Sequence, residues 1–351
     1  MTFTNTSNAH GTTTRAASLS ISLSAPVLLP EPSITGGTSN TLFWNAVSGA
    51  DAYEIQASSD PAFTTVTSSG WITFTSHTFN GLIDGTLYYY RARTRRALLE
   101  SPWSTSVTSL QDASPPAIII TTPQLTSSTE TDLAGLASDS SGISNLTINN
   151  VSALTSNGFS NWNTAPMTLS PGWNNFDLSA ADNAIPANTL QLTHSIYRIT
   201  PGSDADSDGL PDSWEAAHQL DPFSAAGDSG PLGDGDKDGV PNLLELAFGL
   251  NPTAPDTTAT PRVATATNPA DNKPYLVLTY RRLLAPVALT YLIEVSSDST
   301  NWSSSSSNYE EIGSPSPTGD GLTETVSVRI KPAIGTSGHS GGFVRVKVLA
   351  N

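Results

Sequence analysis

Two acidic segments, thirty residues apart, constrain this chain more than any other feature. From Asp204 the sequence reads D-A-D-S-D-G-L-P-D-S-W-E, and from Asp234 it reads D-G-D-K-D-G-V-P-N-L-L-E. Residues 204–245 hold eleven acids against one base, Lys237, so −10 of the chain's formal −16 falls inside them. Charged residues are only 13% of the whole, so the concentration is local. Carboxylates a few ångströms apart repel by roughly 1–4 kcal/mol per pair at effective dielectrics of 80 to 20. Such a segment either stays solvated or closes around something positive.

The spacing decides for the second. In the first copy, side-chain oxygens stand at positions 1, 3, 5, 9 and 12: Asp204, Asp206, Asp208, Asp212 and Glu215. Gly209 is at position 6, and the Leu210 carbonyl is available at position 7. In the second copy the residues are Asp234, Asp236, Asp238, Asn242 and Glu245, with Gly239 at 6 and the Val240 carbonyl at 7. This is the ligand spacing of the EF-hand calcium loop. A hard cation takes six to eight oxygens at about 2.3–2.6 Å, and alternate short acids on a tightly turned loop point inward together. The glycine permits the bend, and the glutamate arrives from the first turn of a following helix. Two Ca²⁺ ions, one per loop, are therefore expected, and they offset four of the negative charges.

The copies also match beyond the loops. Trp214 aligns with Leu244, Ala217 with Ala247, and Leu220-Asp221-Pro222 with Leu250-Asn251-Pro252. Each loop is thus expected to feed a short helix, SWEAAHQL and NLLELAFGL, ended by a proline-containing turn. Position 8 is proline in both copies, Pro211 and Pro241, and no helix enters the first loop, which follows YRITPGS. Those departures disfavour a calmodulin-like sensor. The insert resembles the bacterial relatives of thrombospondin type 3 repeats, with dockerin-like modules close behind, and the resemblance implies structural calcium.

The rest of the chain reads as mainly β. Its 26 glycines and 25 prolines suit many short strands joined by turns. Over residues 25–112, TLFWNAV puts Leu42 and Trp44 on one face, and AYEIQAS does the same for Tyr53 and Ile55. In LIDGTLYYYRARTR, Tyr88, Tyr90 and Ala92 share a side, and Trp103 follows in SPWS. This stretch resembles a fibronectin type III domain through Trp44, the Leu82-to-Tyr88 corner and the SPWS segment. That fold would make Tyr88 the corner tyrosine, its hydroxyl bonded back to the backbone. These aromatics are all expected in the core.

Residues 113–200 resemble a bacterial immunoglobulin-like domain. The marks are Leu133, Gly135, Ala137, Asp139, Gly142 and Ile143, then Leu169, Gly172, Asn174, Phe176 and Asp182. Residues 258–351 resemble a small C-terminal β-sandwich found at the ends of modular bacterial proteins. There Tyr291, Ile293 and Val295 share one face, as do Val326, Val328 and Ile330. The expected organisation is a Ser/Thr-rich linker over 1–24, three tandem β-sandwiches over 25–112, 113–200 and 258–351, and the two-helix calcium module over 201–257.

Several function classes are disfavoured. There is no cysteine, so neither disulfides nor a thiolate zinc site can form. A charge of −16 argues against nucleic acid as a partner. Of Arg91, Arg93, Arg95 and Arg96, the first three share a strand face, expected to be solvated. No apolar run is long enough to span a membrane. The N-terminus has no basic region leading into an apolar core, and the chain is expected to be the C-terminal part of something longer. The histidines at 10, 77, 194, 218 and 339 are scattered, and Glu54, Asp84, Glu294 and Glu310 are isolated. No nucleophile elbow or phosphate loop occurs.

The expected protein is thus a non-catalytic extracellular or cell-surface stalk stiffened by two calcium ions. The alternative is the ancillary, carbohydrate-binding part of a secreted polysaccharide-degrading enzyme, with Trp162 and Trp173 stacking on sugars. The partner would be a polysaccharide or another surface protein.

Overall fold

The computed structural model describes residues 22–256, 260–284, 289–335 and 342–350. The linker expected over 1–24 lies outside them except for its last three positions, as do His10 and His339. The chain divides into two compact units, one within 1–124, 129–169 and 174–196, the other within 125–128, 170–173 and 197–351. The fold is mainly β.

The first unit opens with a sandwich of eight strands. They are β1 (Ile34–Gly36), β2 (Ser39–Phe43), β3 (Ala52–Ser58), β4 (Thr67–Ser68), β5 (Ser76–Asn80), β6 (Leu87–Arg96), β7 (Leu99–Glu100) and β8 (Val107–Asp112). One sheet runs β1-β8-β6-β3-β4, with β7 on β6, and the other is the β2-β5 pair. Alternation along β6 sets the layers. Tyr90, Ala92 and Thr94 are fully buried; Tyr53 and Ile55 of the neighbouring β3 share one core with the first two, and Leu42 and Trp44 complete it. Each such large side chain stabilises the sandwich by about 1.5–3 kcal/mol through burial. The Tyr88 hydroxyl accepts a hydrogen bond from the Ile83 amide at 3.1 Å, which is the tyrosine corner of a fibronectin type III-like sandwich.

Two expectations are corrected on the outer face of β6. Trp103 is not in the core; it is half-buried on the arginine side of the sheet. Nor is that arginine face merely solvated. Arg91 lies over Phe63 at 4.1 Å and Trp103 at 4.3 Å. Arg93 lies between Trp103 at 4.6 Å and Trp71 at 5.0 Å, and Arg95 sits over Trp71 at 4.5 Å. The result is a ladder of guanidinium planes and rings, in which weakly hydrated cations replace water with π-faces. Arg93 also pairs with Glu54 at 2.6 Å and Glu100 at 2.5 Å.

The second sandwich comprises β9 (Ala117–Ile120), β10 (Leu125–Thr126), β11 (Glu130–Thr131), β12 (Ala134–Ser138), β13 (Ile143–Ile148), β14 (Val151–Ser152), β15 (Trp162–Asn163), β16 (Met167–Thr168), β17 (Gly172–Asp182) and β18 (Thr189–Arg198). Its main sheet runs β10-β18-β17-β13-β14, facing β15-β12-β9 and the β11-β16 pair. Leu133, Leu146, Trp162, Leu169, Phe176 and Ile196 fill the core. Gly135 makes room for this packing: a Cβ there would stand 2.2 Å from the Ile119 carbonyl oxygen and 2.7 Å from the Trp162 ring. Within this unit the two sandwiches join through backbone. Ile185 donates to the Ile34 carbonyl at 3.1 Å and accepts from the Gly36 amide at 3.1 Å.

The second unit contains the acidic module, whose helices are α1 (Asp212–Ala217) and α2 (Asn242–Phe248). The first starts one residue before SWEAAHQL and the second where NLLELAFGL starts; both end earlier than expected, at Ala217 and Phe248, and just beyond them Gln219 and Gly249 have φ of +61° and +65°. The remaining strands are β19 (Arg262–Asn268), β20 (Lys273–Leu283), β21 (Leu289–Ser296), β22 (Tyr309–Glu311), β23 (Ser316–Pro317), β24 (Thr323–Ile330) and β25 (Phe343–Ala350). One sheet is β19-β20-β24-β22, with β23 on β24, and the other is β21-β25. Leu278, Tyr280, Ile293, Val326, Val328 and Ile330 form the core, with Tyr291 and Val295 packed against it. Among the described residues no helix is long and apolar enough to cross a membrane.

Replacing Tyr88 with Phe removes one hydrogen bond and keeps the ring. Denaturant unfolding should show a loss of about 1 kcal/mol. Unchanged stability would mean that the corner contributes nothing.

Candidate metal centre

The two acidic loops have the same backbone, thirty residues apart. Ser207 and Lys237 have φ of +62° and +63°, followed by Gly209 and Gly239 at +93° and +90°. The Asp212 amide donates to the Ser203 carbonyl and the Asn242 amide to the Gly233 carbonyl, both at 2.9 Å, closing each loop. The acids themselves make the turn. The Gly209 amide donates to Asp204 Oδ2 at 2.9 Å and the Gly239 amide to Asp234 Oδ2 at 3.1 Å. The Leu210 and Val240 amides donate to Asp208 Oδ1 and Asp238 Oδ1, both at 2.8 Å, which fixes the seventh position with its side chain buried.

Each helix then carries a glutamate back to its loop. The Glu215 and Glu245 amides donate to the Pro211 and Pro241 carbonyls at 3.1 and 3.0 Å. After the helix, the Leu220 and Leu250 amides donate to the Glu215 and Glu245 carbonyls at 2.9 and 2.8 Å. Leu220 and Leu250 open the two proline-containing turns.

Within each copy the first three acids lie together. Oxygens of Asp204, Asp206 and Asp208 come within 4.8 Å of one another, as do those of Asp234, Asp236 and Asp238. Asp212, Glu215, Asn242 and Glu245 are almost wholly buried. Ten buried side-chain oxygens in the two loops have no hydrogen-bond donor: one each on Asp206, Asp208, Asp212, Asp234, Asp236 and Asn242, and both on Glu215 and on Glu245. Asn242 is held by donating to the Asp228 and Gly230 carbonyls at 2.8 and 2.9 Å, which leaves its Oδ1 unpaired. An unpaired buried carboxylate is costly, and a cluster of them more so. Burial, with the neighbouring aspartates, pushes Asp206 up to about 6, Glu215 up to about 8 and Glu245 up to about 7. Burial also raises Asp208.

These donor sets are all oxygen and mostly anionic. They fit a hard divalent cation and lack the nitrogen or sulfur ligands that zinc prefers. The structure thus brings together the residues singled out at positions 1, 3, 5, 9 and 12. It adds supports that spacing did not indicate: Asp228 and Gly230 under Asn242, and the Asp256 amide, which donates to Asp238 Oδ2 at 2.9 Å.

The module is seated on the C-terminal sandwich of its own unit. Val240, Ala247, Phe248 and Leu250 pack with Val348, Leu289, Tyr291 and Val346. The Tyr291 hydroxyl donates to the Ala247 carbonyl at 2.7 Å.

The remaining candidates have structural partners. Glu54 pairs with Arg93 and Glu294 with Arg345 at 2.7 Å; Glu310 holds both Arg329 and Lys331. Asp84 accepts from the Ala113 amide and the Ser114 hydroxyl. His77 packs edge-on against Phe79, and His218 Nδ1 lies 2.7 Å from the Trp214 carbonyl. Of the two tryptophans considered for sugar, Trp162 is in the core at 3% exposure, while Trp173 is 50% exposed and stacks on Phe223 at 4.9 Å.

The sequence matches no protein-family profile and no curated protein. Solved structures similar to part of it are fibronectin type III domains. An Fn3-like protein from Clostridium thermocellum is 28% identical over 25% of this chain and 95% of its own, with a TM-score of 0.21. The fn3 domain of the human collagen alpha-1(XX) chain is 19% identical over 29% and 96%, with a TM-score of 0.24. FN3tt is 21% identical over 27% and 100%, with a TM-score of 0.23.

The two loop glycines separate backbone strain from packing. Gly239→Ala should cost about 1–3 kcal/mol through its positive φ. Gly209→Ala should cost more, because its Cβ would stand 2.2 Å from the Ala350 Cβ. Denaturant unfolding of both variants checks the order, and equal losses would contradict it.

Proposed function

We propose that this protein is a non-catalytic, extracellular or cell-surface modular stalk stiffened by two calcium ions bound in the loops 204–215 and 234–245. One observation carries the reading: ten buried side-chain oxygens without donors, gathered into two loops of matching backbone. The ligands are Asp204, Asp206, Asp208, Asp212 and Glu215 with the Leu210 carbonyl, and Asp234, Asp236, Asp238, Asn242 and Glu245 with the Val240 carbonyl. Each ion supplies two positive charges to oxygens that otherwise repel.

The protein's own residues do the rest. Amide-to-aspartate bonds pre-form each loop, so little ordering remains when the cation binds. The short helices deliver Glu215 and Glu245, and α2 is clamped to the sandwich by Tyr291. The module lies between β18 and the C-terminal sandwich in the chain. Loops of this kind outside cells work at dissociation constants near 10⁻⁴–10⁻³ M, which suits a constant structural load and not a signal. The sugar-binding alternative rests on Trp173 alone, since Trp162 is core.

Calorimetric titration of chelator-stripped protein, with thermal melts alongside, tests the reading. Each loop site should add about 2.7 kcal/mol at 100-fold excess over its dissociation constant. No heat at millimolar calcium would sink it. Glu215→Gln and Glu245→Gln give a sharper check. In calcium each should lower the melting temperature, and in chelator each should leave it unchanged or raise it, because a buried charge has gone. Destabilisation in both conditions would point to a purely structural glutamate.

A further inference from the structure

A third group of acids lies in the first unit, away from the loops. Asp112 ends β8 of the first sandwich, Asp139 follows β12 of the second, and Asp182 ends β17. One oxygen of each lies within 4.8 Å of the others. Asp112 and Asp182 are each 1% exposed, and Asp139 is half-buried.

Each carboxylate accepts hydrogen bonds from nearby groups, and burial raises Asp112 above the usual carboxylate range. Asp182 Oδ1 accepts from the Ala184 and Asn188 amides, both at 3.0 Å, and Oδ2 accepts from Asn188 Nδ2 at 2.7 Å. Asp139 Oδ1 accepts from the Ser141 amide at 2.8 Å and the Ser141 hydroxyl at 2.7 Å. Asp112 Oδ1 accepts from the Ser114 amide at 3.3 Å. Asp112 Oδ2 is buried and has no donor. The Ser141 hydroxyl has one proton, and turning it to Asp112 would take it from Asp139. No lysine, arginine or histidine pairs with any of the three among the described residues.

The geometry points to a third cation site, in which Asp112, Asp139 and Asp182 together bind a hard divalent cation of the calcium class and lock the first sandwich to the second. The inference does not depend on the two loops. Oxygens on opposite sides of calcium stand roughly 4.6–5.2 Å apart, twice the metal–oxygen distance, and those around magnesium roughly 4.0–4.2 Å. Three carboxylate oxygens within 4.8 Å of one another can share one hard divalent cation of either kind. Three charges answer its two, the unpaired Asp112 oxygen gains a partner, and Asp139 leaves a way in for the ion and for water ligands. The site also lies on the seam itself. The Asp112 carbonyl accepts from Asn188 Nδ2 at 2.8 Å, and the Gly37 amide donates to Asn188 Oδ1 at 3.2 Å.

The test is a count. The full chain, stripped with chelator and dialysed against millimolar calcium, is assayed for bound calcium per chain by atomic emission. Three ions are expected, with two in Asp112→Asn or Asp139→Asn and one left in the double variant Glu215→Gln/Glu245→Gln. Asp139→Asn keeps the Ser141 bonds and is half-exposed, so it stays informative if Asp112→Asn fails to fold. Equal counts in the parent and Asp139→Asn would overturn the site, as would loss of all calcium in the loop double variant. A parent that binds one ion, kept in the loop variant and lost in Asp139→Asn, would uphold this site while refuting the two in the loops.

Discussion

Repulsion among buried carboxylates governs the second unit. The chain bends its acidic loops by turning aspartates onto their own backbone amides, and each loop then presents the unused oxygens inward. The same bonds that build the turn aim the charges at one another. One set of atoms therefore both shapes the loop and crowds its charges, and under the proposed function a bound cation would relieve that crowding. The hydrophobic seat of α2 on β21 and β25 keeps the second copy in place throughout.

The clustering of the loop side chains was legible in the sequence because all the candidate ligands of each copy fall within twelve consecutive positions. Position alone identifies them, and a second copy at the same spacing removes coincidence. The strand faces were legible for the same local reason: alternation marks Tyr90 and Ala92 in one sandwich and Val326 and Val328 in another. Trp103 shows where that signal stops. SPWS marks the segment but does not say which side of the sheet its ring will cover, and the arginines of β6 claimed it. The helices were read too long because their C-terminal turns follow from left-handed residues, Gln219 and Gly249, more than from the apolar period.

Asp112, Asp139 and Asp182 were illegible as a group for a different reason. They sit on three segments far apart in the chain, and only the seam between two sandwiches gathers them. Asp139 and Asp182 did stand out, the one within the first half of the immunoglobulin-like pattern and the other closing the second, but nothing local distinguishes Asp112 from any polar residue at the end of a strand. Sites made by tertiary contact leave traces in sequence only one residue at a time.

The arginine–tryptophan ladder bears on how the whole surface meets its surroundings. The chain has only 15 bases, and Arg91, Arg93 and Arg95 are sandwiched among rings, while Arg282, Arg329, Lys331 and Arg345 each hold a glutamate. All 15 bases together are outnumbered by 31 acids. The far field is thus that of a polyanion, which keeps neighbouring copies apart and favours encounter with neutral or cationic surfaces. A side-by-side array of such chains would space itself by ionic strength, packing more densely as salt shortens the reach of that field.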